Sequence, residues 1–293
     1  MTALLVAAVT LLYSFQSLFC KLFSQKHSGS GRPMTSTVFS ISYGIFAGTV
    51  TLILAGFRFS PSPRTLVIGL INAAALLVFN TGMIEAARSG SYSFQMLCLL
   101  FGGIVPPLVH EVIFLGGVLN AIQIAAIVMM LFSFVLMNLK GLTLKGSSRK
   151  FLFWCGAVFA SNGAYSILMN LQQRVTGGAE RSEMIILTYL GMALFYISWQ
   201  GIRNRKALAQ GFRMGKESVI PLLLCCVSAT AAVHLMMYLL TLMEASLLYT
   251  IDNGGVLVLS VLYSCILFKE KLNPAQTAGI ILAAASIMML SLA

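Results

Sequence analysis

A nine-residue segment occurs twice in this chain. Leu119-Asn120-Ala121-Ile122-Gln123-Ile124-Ala125-Ala126-Ile127 aligns with Leu272-Asn273-Pro274-Ala275-Gln276-Thr277-Ala278-Gly279-Ile280, with the Leu, Asn, Gln, one Ala and the final Ile identical. The same offset pairs Gly102 with Gly255 and Ser133 with Ser286, and a nearly equal one pairs Tyr13-Ser14 with Tyr165-Ser166. Agreement in register across most of a half points to a duplication, with 1–140 as the first unit and 150–293 as the second.

Composition says what each unit is made of. The chain is 58% hydrophobic and 9% charged, with a mean hydropathy of +0.91. Soluble domains average about 25% charged residues. A membrane span needs roughly 20 mostly apolar residues. Ten such stretches are legible: 2–24, 35–57, 65–87, 91–115, 119–139, 151–173, 184–202, 218–242, 246–268 and 273–292. That is five per unit. A repeated unit with an odd number of spans must run the opposite way through the bilayer the second time. Secondary transporters use this inverted-repeat plan, with the substrate held between the repeats near mid-membrane. The expected fold is therefore an all-α membrane protein, ten transmembrane helices built as two inverted five-helix repeats. No loop could hold a folded soluble domain, and the longest linker is 203–217.

The net charge of +11 invites a nucleic-acid reading, but its distribution opposes one. With ten spans, fifteen of the nineteen Lys and Arg fall on one side, and only Arg58, Arg64, Arg174 and Arg181 on the other. The positive-inside rule places the rich side in the cytoplasm, both termini facing outward. The run from Arg203 to Lys216 then reads as a topology anchor touching lipid phosphates. No positive residue precedes the first apolar run, so a cleavable signal peptide is not expected. The six cysteines fall inside spans with no metal-ligand spacing, and read as small packing residues.

With the repeat and spans in hand, the chain resembles the drug/metabolite transporter superfamily in its ten-helix, EamA-like branch. The resemblance is carried by Phe268-Lys269-Glu270-Lys271-Leu272-Asn273-Pro274-Ala275-Gln276-Thr277-Ala278-Gly279, similar to that family's turn from Glu and Leu through Gln to Gly into the last helix. The first-half copy keeps Leu119 and Gln123, lacks the Glu, and has Ala126 for the Gly. Span count and chain length agree. The resemblance implies that the first, third, fourth, sixth, eighth and ninth spans surround a central cavity, with the fifth and tenth peripheral. Glu270 itself reads first as a cap or anchor for the last span.

Polar groups buried in hydrocarbon are costly, so they face a cavity or a partner. In the ninth span Tyr249, Asp252, Asn253, Val256, Ser260 and Tyr263 share one helical face. Asp252 is the sharpest residue of the chain, an acid inside a span and followed by Asn253, Gly254 and Gly255. The fourth span has Gly102, Gly103, Pro106 and Pro107, so both cavity helices are expected to be interrupted at matching positions. Close packing through small residues is the plainer account of the same glycines. The eighth span carries Thr230, His234, Tyr238 and Thr241 in one stripe, and the sixth carries Asn162, Tyr165 and Met169. Tyr13 and Gln16 lie on the first span, Asn72, Asn80 and Glu85 on the third, and Gln95 on the fourth. Interhelical hydrogen bonding is the default role for any one of these. Glu85 and Arg88 are spaced as a structural ion pair near an interface, with a gate or proton site as the rival role. His110-Glu111 reads as interfacial, and His27 is expected in a loop.

These readings converge on a secondary transporter of a small polar metabolite, cationic or zwitterionic, such as an amine or amino acid. Asp252 supplies negative charge, and Tyr249, Tyr238, Tyr13 and Tyr165 supply aromatic walls. His234, Asn253, Asn80, Gln95 and Gln16 orient polar groups. The expected partners are the substrate, the lipid bilayer and a coupling proton drawn from Asp252, His234 or Glu85, in a monomer or homodimer of the plasma membrane. No cofactor and no metal are expected. An organic-anion or sugar-conjugate carrier binding through Arg88 or Lys21 is the nearest rival; a non-transporting assembly or sensor protein is another. Enzyme chemistry finds no support: HExxH, GxSxG and Walker patterns are missing.

Overall fold

In hydrocarbon a backbone must satisfy its own N–H and C=O groups, which leaves a sequence this apolar with helices or a closed barrel. The computed structural model describes residues 2–89, 92–138, 148–268 and 273–292. Those residues form helices joined by turns, with no strand among them. In chain order they are α1 (Thr2–Gly29), α2 (Thr35–Leu54), α3 (Pro63–Ser89), α4 (Tyr92–Phe114), α5 (Ala121–Asn138), α6 (Arg149–Thr176), α7 (Arg181–Arg203), α8 (Arg205–Gly211), α9 (Lys216–Leu239), α10 (Ala245–Phe268) and α11 (Pro274–Leu292). Six of them, α1, α2, α3, α6, α7 and α9, are long and apolar enough to cross a membrane. The described parts of α4, α5, α10 and α11 form shorter apolar helices. Large apolar side chains stand on the outer surface, among them Leu4, Phe57, Phe114, Val118 and Ile202. Such a surface suits lipid rather than water, and the chain is compatible with a multi-pass membrane protein.

The helix ends explain why the repeated segment kept its residues. At the start of α5 the Asn120 backbone N–H donates to Gln123 Oε1 at 3.0 Å, and the Gln123 N–H donates to Asn120 Oδ1 at 2.8 Å. At the start of α11 Asn273 and Gln276 exchange the same two bonds, both at 3.0 Å. Each is a reciprocal capping box that satisfies two orphan N–H groups. Ser148 caps α6 by accepting from the Phe151 N–H at 3.1 Å. Glu270 lies outside the described residues.

The packing pairs helices from opposite halves. α1 lies along α9 and meets α10; α3 lies along α6, which also packs on α4. α2 faces α7, α5 faces α11, and α4 meets α10. In the α5–α11 pair, Ser286 donates to Ala126 O at 2.6 Å, while Gly279 approaches Ser133 O so closely that a Cβ there would sit 3.0 Å from it. One apolar core lies mainly among α1, α2, α7 and α9, around Val9, Ile41, Met192 and Met237. A second, around Ile104, Met130 and Phe134, joins α4, α5 and α11.

Three expectations are corrected. α4 and α10 are not interrupted: α4 runs on as one helix through its Gly and Pro residues, and α10 through its glycines. The glycines serve close approach instead, Gly102 against the backbone of Phe159 on α6 and Gly255 against Thr10 on α1. A Cβ at Gly102 would stand 2.6 Å from Phe159 O. The linker 203–217 carries the short helix α8. His27, expected in a loop, is fully buried in the last turn of α1. Its Nε2–H donates to Gly211 O at 2.9 Å and its Nδ1 meets Thr35 Oγ1 at 2.8 Å, fastening α1 to the end of α8.

Candidate functional site

Among the described residues two carboxylates are buried, Glu111 and Asp252, and Asp252 is the less compensated. It is 6% exposed, on the face of α10 that meets α1. Thr10 Oγ1 donates to Asp252 Oδ1 at 3.2 Å, a contact that the missing side chain of Gly255 leaves room for. Asp252 makes no ion pair among the described residues. Further along the seam, the Ser14 and Tyr263 hydroxyls meet at 3.1 Å.

Tyrosines surround this seam. Tyr249 donates to the Ser166 carbonyl of α6 at 3.2 Å. Tyr13 lies within electrostatic reach of Asp252, Tyr249 and Tyr189. The Tyr165 and Tyr189 hydroxyls meet at 2.8 Å, and Tyr43 packs edge-on against Tyr189 with ring centroids 4.9 Å apart. Beside them Asn72 Nδ2 donates to Thr188 Oγ1 at 3.2 Å. Asn72 Oδ1 is buried without a partner. Asn72, Tyr165, Thr188, Tyr189 and Val233 line a narrow crevice with no room for a water molecule. Asn253 donates to Tyr249 O at 2.7 Å and lies against Gly103, where Asn162 also arrives. Asn162 in turn donates to Leu99 O at 2.8 Å, joining α6 to α4.

The other candidate residues stand apart from this cluster in their contacts. His234 Nε2 meets Thr51 Oγ1 of α2 at 2.9 Å. Tyr238 is 36% exposed, with the Arg181 guanidinium 5.3 Å from its ring centre. Asn80 points its amide at Met192 Sδ, 3.1 Å away. Gln95 donates to Met83 O at 2.6 Å. Gln16 Oε1 is buried without a partner. Glu85 pairs with Lys150 at 2.8 Å, a link between α3 and α6; the Arg88 and Lys21 side chains lie outside the described residues.

A second carboxylate, near the end of its span, is buried by neighbouring helices. Glu111, 3% exposed, takes Arg174 Nη2 on Oε1 at 2.9 Å and the Ser246 backbone N–H on Oε2 at 2.8 Å. It ties the end of α4 to the end of α6 and caps the start of α10, where a negative charge also favours the helix dipole. Nearby, in the turn between α6 and α7, Glu180 accepts from the Ser62 N–H and hydroxyl, both at 3.0 Å. Hydrogen bonds from Thr65 and Ser62 hold this carboxyl below its ordinary range. The larger cleft, about 360 Å³ at the surface between Ser62, Arg64, Thr176 and Glu180, contains none of the expected site residues.

Sequence reasoning missed Tyr43 and Tyr189, because they lie on the second and seventh spans, outside the six expected to surround the cavity. A phenol inside an apolar span was the available signal. No group of three or more His, Cys, Asp or Glu suited to a metal occurs among the described residues.

No family model and no curated protein matches the sequence. Among solved structures, a chain described only as a crystal structure of a protein is similar, with a TM-score of 0.74 over 99% of this chain and 96% of its own. The identity is 15%, so the likeness concerns the fold alone.

Proposed function

We propose that this chain is a secondary transporter of small cationic or zwitterionic metabolites, an EamA-like member of the drug/metabolite transporter superfamily. Its ten membrane helices form two inverted repeats, 1–140 and 150–293, working by alternating access across the plasma membrane. The Lys- and Arg-rich ends face the cytoplasm. The observation that carries the reading is Asp252: a buried carboxylate with no cation against it among the described residues, at the seam where α10 of one half meets α1 of the other.

Support for the repeat comes from the packing. Exchange α1 to α5 for α6, α7, α9, α10 and α11, and the main helix pairs map onto one another: α1–α9 becomes α6–α3, and α1–α10 becomes α6–α4. The pairs α2–α7, α4–α10 and α5–α11 map onto themselves. A two-fold pseudo-axis between inverted units produces this pattern. Ligand sites for small molecules span about 300–1,000 Å³, and the crevice beside Asn72 has no room even for water, so it must widen when a substrate enters. The Glu111–Arg174–Ser246 cluster holds α4, α6 and α10 together at the Lys- and Arg-poor end. Opening there requires that cluster to part.

Uptake into proteoliposomes of labelled amines, amino acids and organic anions, by the parent and by Asp252→Asn, tests the reading. Saturable uptake of an amine or amino acid that the variant loses is expected. Full transport by the variant, or uptake of anions alone, removes the basis for it.

A further inference from the structure

Resting on that reading, we infer that the site takes organic cations without a carboxylate, and so discriminates against zwitterionic amino acids. The inventory of buried charge carries this. No Lys or Arg is buried among the described residues, Arg32 and Arg181 being the least exposed at half-buried. Among the described residues the buried Asp, Glu, His, Lys and Arg side chains are His27, Glu111 and Asp252. His27 is held between Thr35 and Gly211, and Glu111 between Arg174 and Ser246. Asp252 alone of the two acids has no cationic partner among the described residues, only the Thr10 hydroxyl.

A desolvated carboxylate is stabilised by a cation placed against it. A ligand ammonium at Asp252 supplies one, and Tyr13 and Tyr249 lie within electrostatic reach of the same carboxylate. A ligand carboxylate has no such counterpart among the described side chains. It would enter a low-dielectric site already holding one negative charge, and like charges there disfavour each other. The phenols of Tyr13, Tyr165 and Tyr189 offer hydrogen bonds but no charge. A second polar contact is available on the other flank of the tyrosines. Asn72 Oδ1, on a residue 1% exposed that lines the crevice, has no partner and accepts a hydrogen bond. The ligand chemistry that answers both is an ammonium group joined to a modest aliphatic or aromatic body bearing one further N–H or O–H donor.

The test is ligand-dependent melting of the purified full-length protein, titrated to give apparent Kd values. The probes are phenethylamine, tyramine, phenylalaninamide, phenylalanine and hydrocinnamate, with leucinamide and leucine as an aliphatic pair. The amides differ from the amino acids mainly in lacking the carboxylate charge. The amines and amides are expected to bind at least about tenfold tighter than the matched amino acids, equivalent to one decade in Kd. Asp252→Asn should lose that binding, Asp252→Glu should retain part of it, and Asn72→Ala should weaken tyramine more than phenethylamine. Equal binding of an amino acid and its amide overturns the inference and leaves the transporter reading intact. Binding of hydrocinnamate alone overturns both. Binding by none of the cations, or cation binding that Asp252→Asn leaves unchanged, overturns the inference as well.

Discussion

Glu111 and Asp252 are both acids sunk almost fully into a helical interior, yet they are treated in opposite ways. Glu111 has each oxygen engaged, one by the Arg174 guanidinium and one by the N-terminus of α10. Asp252 has one hydroxyl contact at 3.2 Å. A fully paired buried charge is part of the architecture, because removing it strands its partners. An underpaired one is a standing cost, kept where something other than the fold uses it. On the proposed reading structure and function divide between the two acids, on helices that touch each other.

The largest effect should come from the unpaired acid. Asp252→Asn is expected to cut transport about 100-fold or more, the equivalent of losing roughly 3 kcal/mol of a desolvated charge pair; initial rates in proteoliposomes give the number. Next comes the paired acid. Glu111→Gln should destabilise the protein by about 2 kcal/mol, since the half-exposed Arg174 regains some water but the Ser246 N–H weakens. Thermal melting checks this, and an unchanged melting point would place Glu111 among dispensable contacts.

Smaller effects sharpen the comparison between the two halves. Asn120→Ala and Asn273→Ala each remove a capping box and should each cost about 1 kcal/mol. A strongly unequal pair of melting shifts would argue against equivalent roles for α5 and α11. Lys150→Met breaks the exposed pair with Glu85 and should change stability by less than about 1 kcal/mol. The smallest effect is a pH slope. Glu180 has a lower pKa folded than unfolded, so its contribution is complete above its ordinary value of 4.5 and is lost as pH falls through the lower folded value. Melting recorded from pH 7 down to 4 should fall less steeply in Glu180→Gln than in the parent.

Much of this is legible in the chain. Asn120 with Gln123, and Asn273 with Gln276, announce two equivalent helix starts through spacing alone, and both are capping boxes. Asp252 with Tyr249 is readable as one helical face. What cannot be read is the neighbour that each face meets. Helical phase places His234 on a polar stripe, but only packing puts Thr51 against it. Glu85 has Arg88 at a suitable spacing on its own helix, while Lys150 comes from another. Glu111 looks interfacial because it sits near the end of a span; its burial depends on α6 and α10 closing over it. The glycines of α4 and α10 suggest broken helices because sequence cannot separate a break from a close approach.

The division between the two acids is tested by the ligand-free melting temperature of Asp252→Asn beside that of Glu111→Gln, with tyramine shifts recorded on the same samples. Asp252→Asn is expected to melt at or above the parent temperature while losing its tyramine shift, and Glu111→Gln to melt lower. If Asp252→Asn melts as low as Glu111→Gln, or keeps its tyramine shift, Asp252 is a structural group like Glu111 and the proposed site is contradicted.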